Sequence, residues 1–245
     1  MKLTLKRISN IKTNLSQIKI KNRERQRDKV KFENMVDVGC GEGSFMENLI
    51  NFGNNFIGIL PTQEEVEVVK KYLKKHNNIS VMKGLSTKLP FEDESKQFLL
   101  CNSVLHSVGF DDDLVKNSLY EFYRVLSRDG ILYIGEIPEL NEMEGRDYGF
   151  FFYKYLIWIL KNRNIFIFFK ELINYLKCFF SKEVYILQPT KMYFCPKLKF
   201  IKLLEQVGFK VEKICVSKNN KTVLFDDIKI ERRRLDYICK KDVLT

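Results

Sequence analysis

The chain has no CxxC pair, only two histidines and no long uncharged apolar run, and each shortage closes off a class of protein. Its six cysteines (Cys40, Cys101, Cys178, Cys195, Cys215 and Cys239) stand singly, with only His76 and His106 to join them. Zinc-ligand spacing is missing, so no metal site is expected. No stretch of about 18 apolar residues runs without a charge, which counts against a membrane-spanning helix. The first residues lack the apolar core of a secretory signal, and a reducing, cytoplasmic setting is expected. Neither an internal repeat nor a low-complexity linker is visible.

What is present suits one α/β domain with an insertion: 245 residues, 45% hydrophobic, are enough to bury a sizeable core. The formal net charge is +11, yet residues 1–31 alone hold eleven Lys or Arg against Glu24 and Asp28, or +9, leaving +2 for the rest. This basic N-terminal arm either forms a solvated helix before the first strand or attracts a polyanion such as anionic lipid or nucleic acid. A solvated surface is the commoner role of such a charge run.

Beyond the arm, short apolar runs alternate with helical patterns. Met35–Val38, Phe56–Leu60, Ile79–Met82, Phe98–Cys101 and Ile131–Ile134 read as buried strands, and the alternation predicts a parallel sheet. Thr62-Gln63-Glu64-Glu65 has the spacing of a capping box, with Pro61 before it and Lys70, Lys71, Lys74 and Lys75 toward the helix end. A further helix is expected from Asp111-Asp112-Asp113 to Leu126, followed by a turn at Arg128-Asp129-Gly130. Pro196–Gln206 has helical spacing and stops at Gly208. Phe209–Val216 and Thr222–Phe225, separated by Lys218-Asn219-Asn220-Lys221, are expected to form an antiparallel hairpin at the sheet edge.

The most informative segment is Val36-Asp37-Val38-Gly39-Cys40-Gly41-Glu42-Gly43-Ser44-Phe45, a strand that breaks into glycines and enters a helix. Glycines at such a bend let the backbone approach a ligand closely. A dinucleotide site wants glycine where Ser44 stands, so a ligand held here need not carry phosphate.

VDVGCGEGSF resembles the first motif of the class I S-adenosylmethionine-dependent methyltransferases, particularly the group that includes the ubiquinone and menaquinone biosynthesis methyltransferases. The likeness continues through Leu89-Pro90-Phe91, Val104–Val108, Arg124–Glu136 and Phe200–Val211, covering roughly residues 33–140 and 190–225. It implies a Rossmann-like α/β fold: a seven-stranded, mostly parallel sheet with helices on both faces and the last strand antiparallel, plus a helical insertion. It also implies S-adenosyl-L-methionine as cofactor, bound above the C-terminal ends of the first four strands. The core is expected over 32–140 and 190–230, with the insertion at 141–189.

Carried over residue by residue, the resemblance places Asp37, Gly39, Cys40 and Gly41 at the methionine end of the cofactor and Asn102, with Ser103, near the adenine or sulfonium. Leu60 stands where the family has the ribose-binding acid, and Leu85 where it has an Asp beside the adenine. Lys96-Gln97 replaces the Phe-Asp pair that opens the fourth strand. Each charged hydrogen bond lost without replacement weakens binding by roughly 1.5–3 kcal/mol. Thr62, Gln63 or Glu64, at the start of the next helix, are candidates to reach the ribose instead.

Methyl transfer from a sulfonium needs alignment and exclusion of water more than catalytic side chains. A hydroxyl acceptor benefits from a base, and His106, just beyond the fourth strand, is the candidate catalytic residue; the alternative is a packed, inert histidine. Residues 148–180 hold 13 of the 32 aromatics, and Ile165–Phe180 carries its polar residues in one stripe. Two amphipathic helices with a turn at Lys161–Asn164 fit this pattern. They either cap the pocket or lie on a membrane, with Trp158 and the phenylalanines in lipid and Lys154, Lys161, Arg163, Lys170 and Lys177 at the headgroups. The expected function is methylation of a small-molecule acceptor, by preference O-methylation of a hydrophobic or lipid-linked compound or a glycan. The alternatives are a catalytically silent binding protein and an RNA methyltransferase guided by the basic arm. Nucleic acid is not the expected partner, and the oligomeric state is left open.

Overall fold

Five strands pair in parallel because their residues are buried on both faces, which is why they read as continuous apolar runs. They are β1 (Phe32–Val38), β2 (Gly53–Leu60), β3 (Ile79–Lys83), β4 (Lys96–Asn102) and β5 (Leu126–Pro138). The computed structural model describes residues 8–9, 11–13, 32–107, 112–139, 157, 160–161, 164–180, 195–217, 222–225, 228–231 and 234–242. Trp158, Lys154, Arg163, the Lys218–Lys221 turn and most of the basic arm lie outside them.

The helices are α1 (Ser44–Leu49), α2 (Gln63–Leu73), α3 (Asp112–Val125), α4 (Ile165–Phe180) and α5 (Lys197–Val207). Later strands are β6 (Phe209–Val216), β7 (Thr222–Phe225), β8 (Ile228–Glu231) and β9 (Arg234–Lys241). The main sheet has seven strands in the order β3-β2-β1-β4-β5-β9-β6, with β9 antiparallel to both neighbours. Strand order reverses between β1 and β4, which opens a crevice at their C-terminal ends. One face of the sheet buries Met46, Leu49, Val66 and Leu73 from α1 and α2; the other buries Val115, Leu119, Phe122, Phe200 and Leu204 from α3 and α5.

Two local features explain the motif spacing. Thr62 caps α2: its Oγ1 accepts from the Glu65 N–H (3.2 Å) and donates to Glu65 Oε2 (2.9 Å), so the carboxylate returns to the hydroxyl instead of the Thr62 N–H. Arg124, near the end of α3, donates to the Leu89 and Phe91 carbonyls at 3.2 and 2.8 Å and forks onto both oxygens of Glu121. The Leu89-Pro90-Phe91 loop and the helix before β5 are thereby tied together, and the guanidinium holds Glu121 below the usual carboxylate range.

Two expectations need correction. The hairpin between Phe209–Val216 and Thr222–Phe225 does not form: β6 pairs with β9, and β7 pairs with β8 in a separate two-stranded ribbon. β9 fits there because Leu235, Tyr237 and Cys239 fill one face of the sheet and Ile238 the other, and its eight residues form a longer ladder than the four of β7 could. This strand lies past residue 230. Second, Arg128-Asp129-Gly130 is not a turn before β5 but an irregularity inside it, between the Lys96–Leu126 and Phe98–Ile131 pairs. Within the arm, Ile8 and Ile11 are buried, Ile11 in the core under α1 and α2, so this part packs on the domain.

After β5 the chain leaves at Glu139 and returns at Cys195; the two form a bridge, and the Cys195 N–H donates to the Pro138 carbonyl at 3.2 Å. The segment between them, which includes α4, thus starts and ends at one point beside the C-terminal end of β5.

Candidate functional site

The bend after β1 is fixed from both sides. Gly39 (φ +73°) donates to the Ile59 carbonyl at 2.9 Å, and a Cβ on it would sit 2.3 Å from Val104 Cγ2. Gly41 (φ +53°) differs: a Cβ there would meet nothing within 4 Å. Gly39 is therefore required by packing, whereas Gly41 faces open space. That space is a cleft of about 410 Å³ lined by Gly41, Glu42, Leu60, Glu64, Glu65 and Val68, a volume within the usual range for a small-molecule site.

At the head of the crevice, Asp37 is the next-to-last residue of β1 and Asn102 ends β4. Asp37 is 1% exposed and its Oδ2 has no hydrogen-bond partner among the described residues; the same holds for Asn102 Nδ2. Burial raises the Asp37 pKa well above the ordinary carboxylate value. An acceptor and a donor are thus buried with capacity to spare on adjacent strands, next to the glycine bend. Asn102 lies over Gly135, where a Cβ would sit 2.0 Å from Oδ1.

The other candidates fall around this centre. Leu60 is buried and lines the cleft; its carbonyl accepts from the Gly84 N–H at 2.9 Å, joining the ends of β2 and β3. Leu85 is held in a tight turn with Lys88 and is not part of the cleft wall. The Cys40 thiol donates to the Gly41 carbonyl at 3.7 Å, and burial, with Asp37 nearby, pushes its pKa far up, so it stays protonated. Ser103 has φ +65° and donates its N–H to the Gly135 carbonyl at 3.0 Å. His106 lies two residues past Val104, in the helical turn Leu105–Ser107, half-buried and with Nδ1 inside. His76 is a helix-end residue bound to Glu47 at 3.0 Å, away from the bend.

Two features escaped the sequence reading. Glu65 lines the cleft beside Glu64, so a second carboxylate joins the one that was a candidate to reach the ribose. Glu136, at the end of β5, is a buried carboxylate with φ +66°. It accepts from Ser217 Oγ and, at 3.0 Å, from Arg234, while its N–H donates to Asp236 Oδ1 and Tyr133 donates to Asp236 Oδ2. The signal was a glutamate following a strand-end glycine. A larger concavity of about 770 Å³ lies between α5 and the edge strand β6, but charged Glu205, Lys210, Glu212 and Lys213 line it and none of the strand-end glycines reaches it.

Comparison with known proteins agrees with this geometry. A family model described as a methyltransferase domain matches residues 36–134. The chain is 30% identical over 115 residues to the uncharacterized methyltransferase YcgJ of Bacillus subtilis (strain 168), covering 44% of each chain. It is 26% identical over 133 residues to the ubiquinone biosynthesis O-methyltransferase of Pelagibacter ubique (strain HTCC1062), covering 54% of this chain and 52% of the relative. These matches span about half the length of the curated relatives. Among solved structures, a SAM-dependent methyltransferase from Methanosarcina mazei superposes with a TM-score of 0.55 over 93% of this chain and 99% of its own, at 17% identity, a likeness of fold.

The fold and the matching family model imply S-adenosylmethionine, and the residues present fit it. Its amino-acid end carries an ammonium and a carboxylate, which match the spare acceptor of Asp37 and the spare donor of Asn102. The space in front of Gly41 is open, and neither Leu60 nor Leu85 closes it. Residues 36–134 thus match a family model described as a methyltransferase domain, and the seven-stranded sheet around them has the Rossmann-like fold found in solved S-adenosylmethionine-dependent methyltransferases.

Proposed function

We propose that the protein transfers a methyl group from S-adenosylmethionine to a small-molecule acceptor, with an oxygen nucleophile on a hydrophobic or lipid-linked compound, or a glycan, as the preferred class. The observation that carries this reading is the open cleft at Gly41 near two buried polar atoms that have no partner among the described residues. A fold that had kept its shape and lost its ligand has no reason to leave them unsatisfied, since each costs about 1–3 kcal/mol. The oxygen preference is supported by the name of the Pelagibacter relative, an O-methyltransferase.

When bound, the cofactor supplies an electrophilic methyl on a sulfonium. Asp37 would accept hydrogen bonds from its ammonium, Asn102 Nδ2 would donate to its carboxylate, and Glu64 would serve the ribose that Leu60 cannot. Glu64 is preferred over Glu65 because the latter is engaged by the Thr62 cap. The positive charge of the sulfonium disappears on transfer, so the chain's task is to align the acceptor and keep water out. His106 would take the acceptor's proton at Nε2, its Nδ1 being turned into the protein.

Equilibrium dialysis with labelled S-adenosylmethionine tests the reading. Uptake by the native chain that is lost in Gly41→Val supports it; no uptake at high protein concentration overturns it. With an acceptor in hand, His106→Ala should lower kcat by about 10²–10⁴; an unchanged kcat removes the base.

A further inference from the structure

Helix α4 carries an unusual surface. Phe166, Phe169, Ile173 and Leu176 are 77%, 52%, 51% and 50% exposed. At 3.6 residues per turn they fall within one arc about 100° wide. Phe168 and Leu172, on the adjoining side, are half-buried, and Lys170 is exposed at the margin of the apolar arc. Just before the helix, Ile157 and Leu160 are each 46% exposed and Lys161 is exposed. Bulky apolar side chains gathered this way mark a surface that is covered in use.

Charge indicates what covers it. Residues 148–180 hold five cations, Lys154, Lys161, Arg163, Lys170 and Lys177, against Glu171 alone, a balance of +4. The arm at residues 1–31 adds +9. Apolar bulk bordered by lysine stems matches the boundary between acyl chains and anionic headgroups. Length indicates how it lies: 16 residues make a helix about 24 Å long, short of a bilayer core of about 30 Å. Among the described residues no helix is long and apolar enough to cross a membrane.

We infer that the arc of α4 formed by Phe166, Phe169, Ile173 and Leu176 docks on an anionic membrane surface, with the helix in the membrane plane and Lys170 at the headgroups. The segment bearing it is rooted at the Glu139–Cys195 bridge, on the strand-end edge that also holds Asp37 and Asn102. Docking would therefore tether that edge to the place where a lipid-linked acceptor resides. The inference goes beyond methyl transfer and does not depend on it.

The test is sedimentation of the full chain with phosphatidylcholine vesicles, with and without phosphatidylglycerol. The native chain should sediment with the anionic vesicles, and added salt should weaken it. Phe166→Glu/Phe169→Glu should bind at least about tenfold less. Leu198→Glu, at an exposed apolar residue of α5, should bind as the native chain does. Lys161→Glu/Lys170→Glu, two exposed surface changes, should lose about tenfold or more of the preference for the anionic vesicles. Absent sedimentation, or sedimentation untouched by both double variants, overturns the inference. So does a native dimer that the phenylalanine variant converts to monomer with no lipid binding by either, which assigns the face to a second copy. S-adenosylmethionine uptake is read in the same samples: docking without uptake removes the methyltransferase reading and leaves this one, and uptake without docking does the reverse.

Discussion

Among the described residues, Asp37 near the end of β1 and Asn102 at the end of β4 each keep an atom without a partner, whereas Glu136 and Asp236, farther along the same edge of the sheet, have all four carboxylate oxygens engaged. Both pairs are buried, with Asn102 the most exposed at 8%. Burial alone therefore does not distinguish a site from a structural tie; satisfaction does. The Glu136 cluster joins β5, β9 and the residue after β6, and its hydrogen bonds are complete without any ligand. The Asp37 pair costs the empty protein stability that a ligand can return.

Cutting the completed cluster should have the largest effect. Arg234→Leu strands the Glu136 charge in the interior and should cost about 3 kcal/mol, seen in thermal melts as a fall of roughly 6–12 °C. A double variant with Glu136→Gln should recover much of that loss. If Arg234→Leu is silent, the cluster is not the tie described here.

Next come the two glycines. Gly39→Ala meets both a left-handed backbone and Val104, and should destabilise by about 2–4 kcal/mol. Gly41→Ala meets only the backbone term, about 1–2 kcal/mol, yet should weaken S-adenosylmethionine binding at least about tenfold because the added methyl enters the ligand's space. Calorimetry beside a denaturant melt separates the two.

Asp37→Asn should move stability and binding in opposite directions. Burial raises this carboxyl's pKa, so the native state holds its proton more firmly than the unfolded chain does. The empty protein therefore loses stability as pH climbs from the ordinary carboxylate range through the raised native value, and the amide should abolish that slope and raise Tm above it. Because a bound ammonium favours the ionised carboxyl, cofactor affinity should rise with pH over the same interval; Asp37→Asn should flatten the profile and weaken binding about 10- to 150-fold. The smallest effect is expected at Glu64. It is exposed, so Glu64→Gln should leave Tm unchanged and cost roughly tenfold in cofactor affinity.

The five central strands were legible because burial on both faces writes them as unbroken apolar runs. Their ends were not, since polar residues such as Asn54 and Lys96 join the ladder through backbone hydrogen bonds that no side-chain pattern announces. β9 was missed for a related reason. Its apolar residues stand among charges in Arg234-Leu235-Asp236-Tyr237-Ile238-Cys239-Lys240-Lys241, and nearby turn residues offered a local hairpin that the long-range pairing outcompetes. The glycine bend was legible because Gly39, Gly41 and Gly43 all take a left-handed backbone that favours glycine, and at Gly39 the contact with Val104 adds to it.

Taken by itself, the sequence determined the five parallel strands and the helices between them, the bend after β1 and the family that this bend resembles. Those depend on local periodicity and on the steric demands of single residues. Tertiary structure decided which strand completes the sheet, that Glu64 and Glu65 face the cleft beside Leu60, and that Asp37 and Asn102 stay unsatisfied while Glu136 does not. Such outcomes turn on partners as much as a hundred positions away in the chain, as Glu136 is from Asp236, and no local pattern records them.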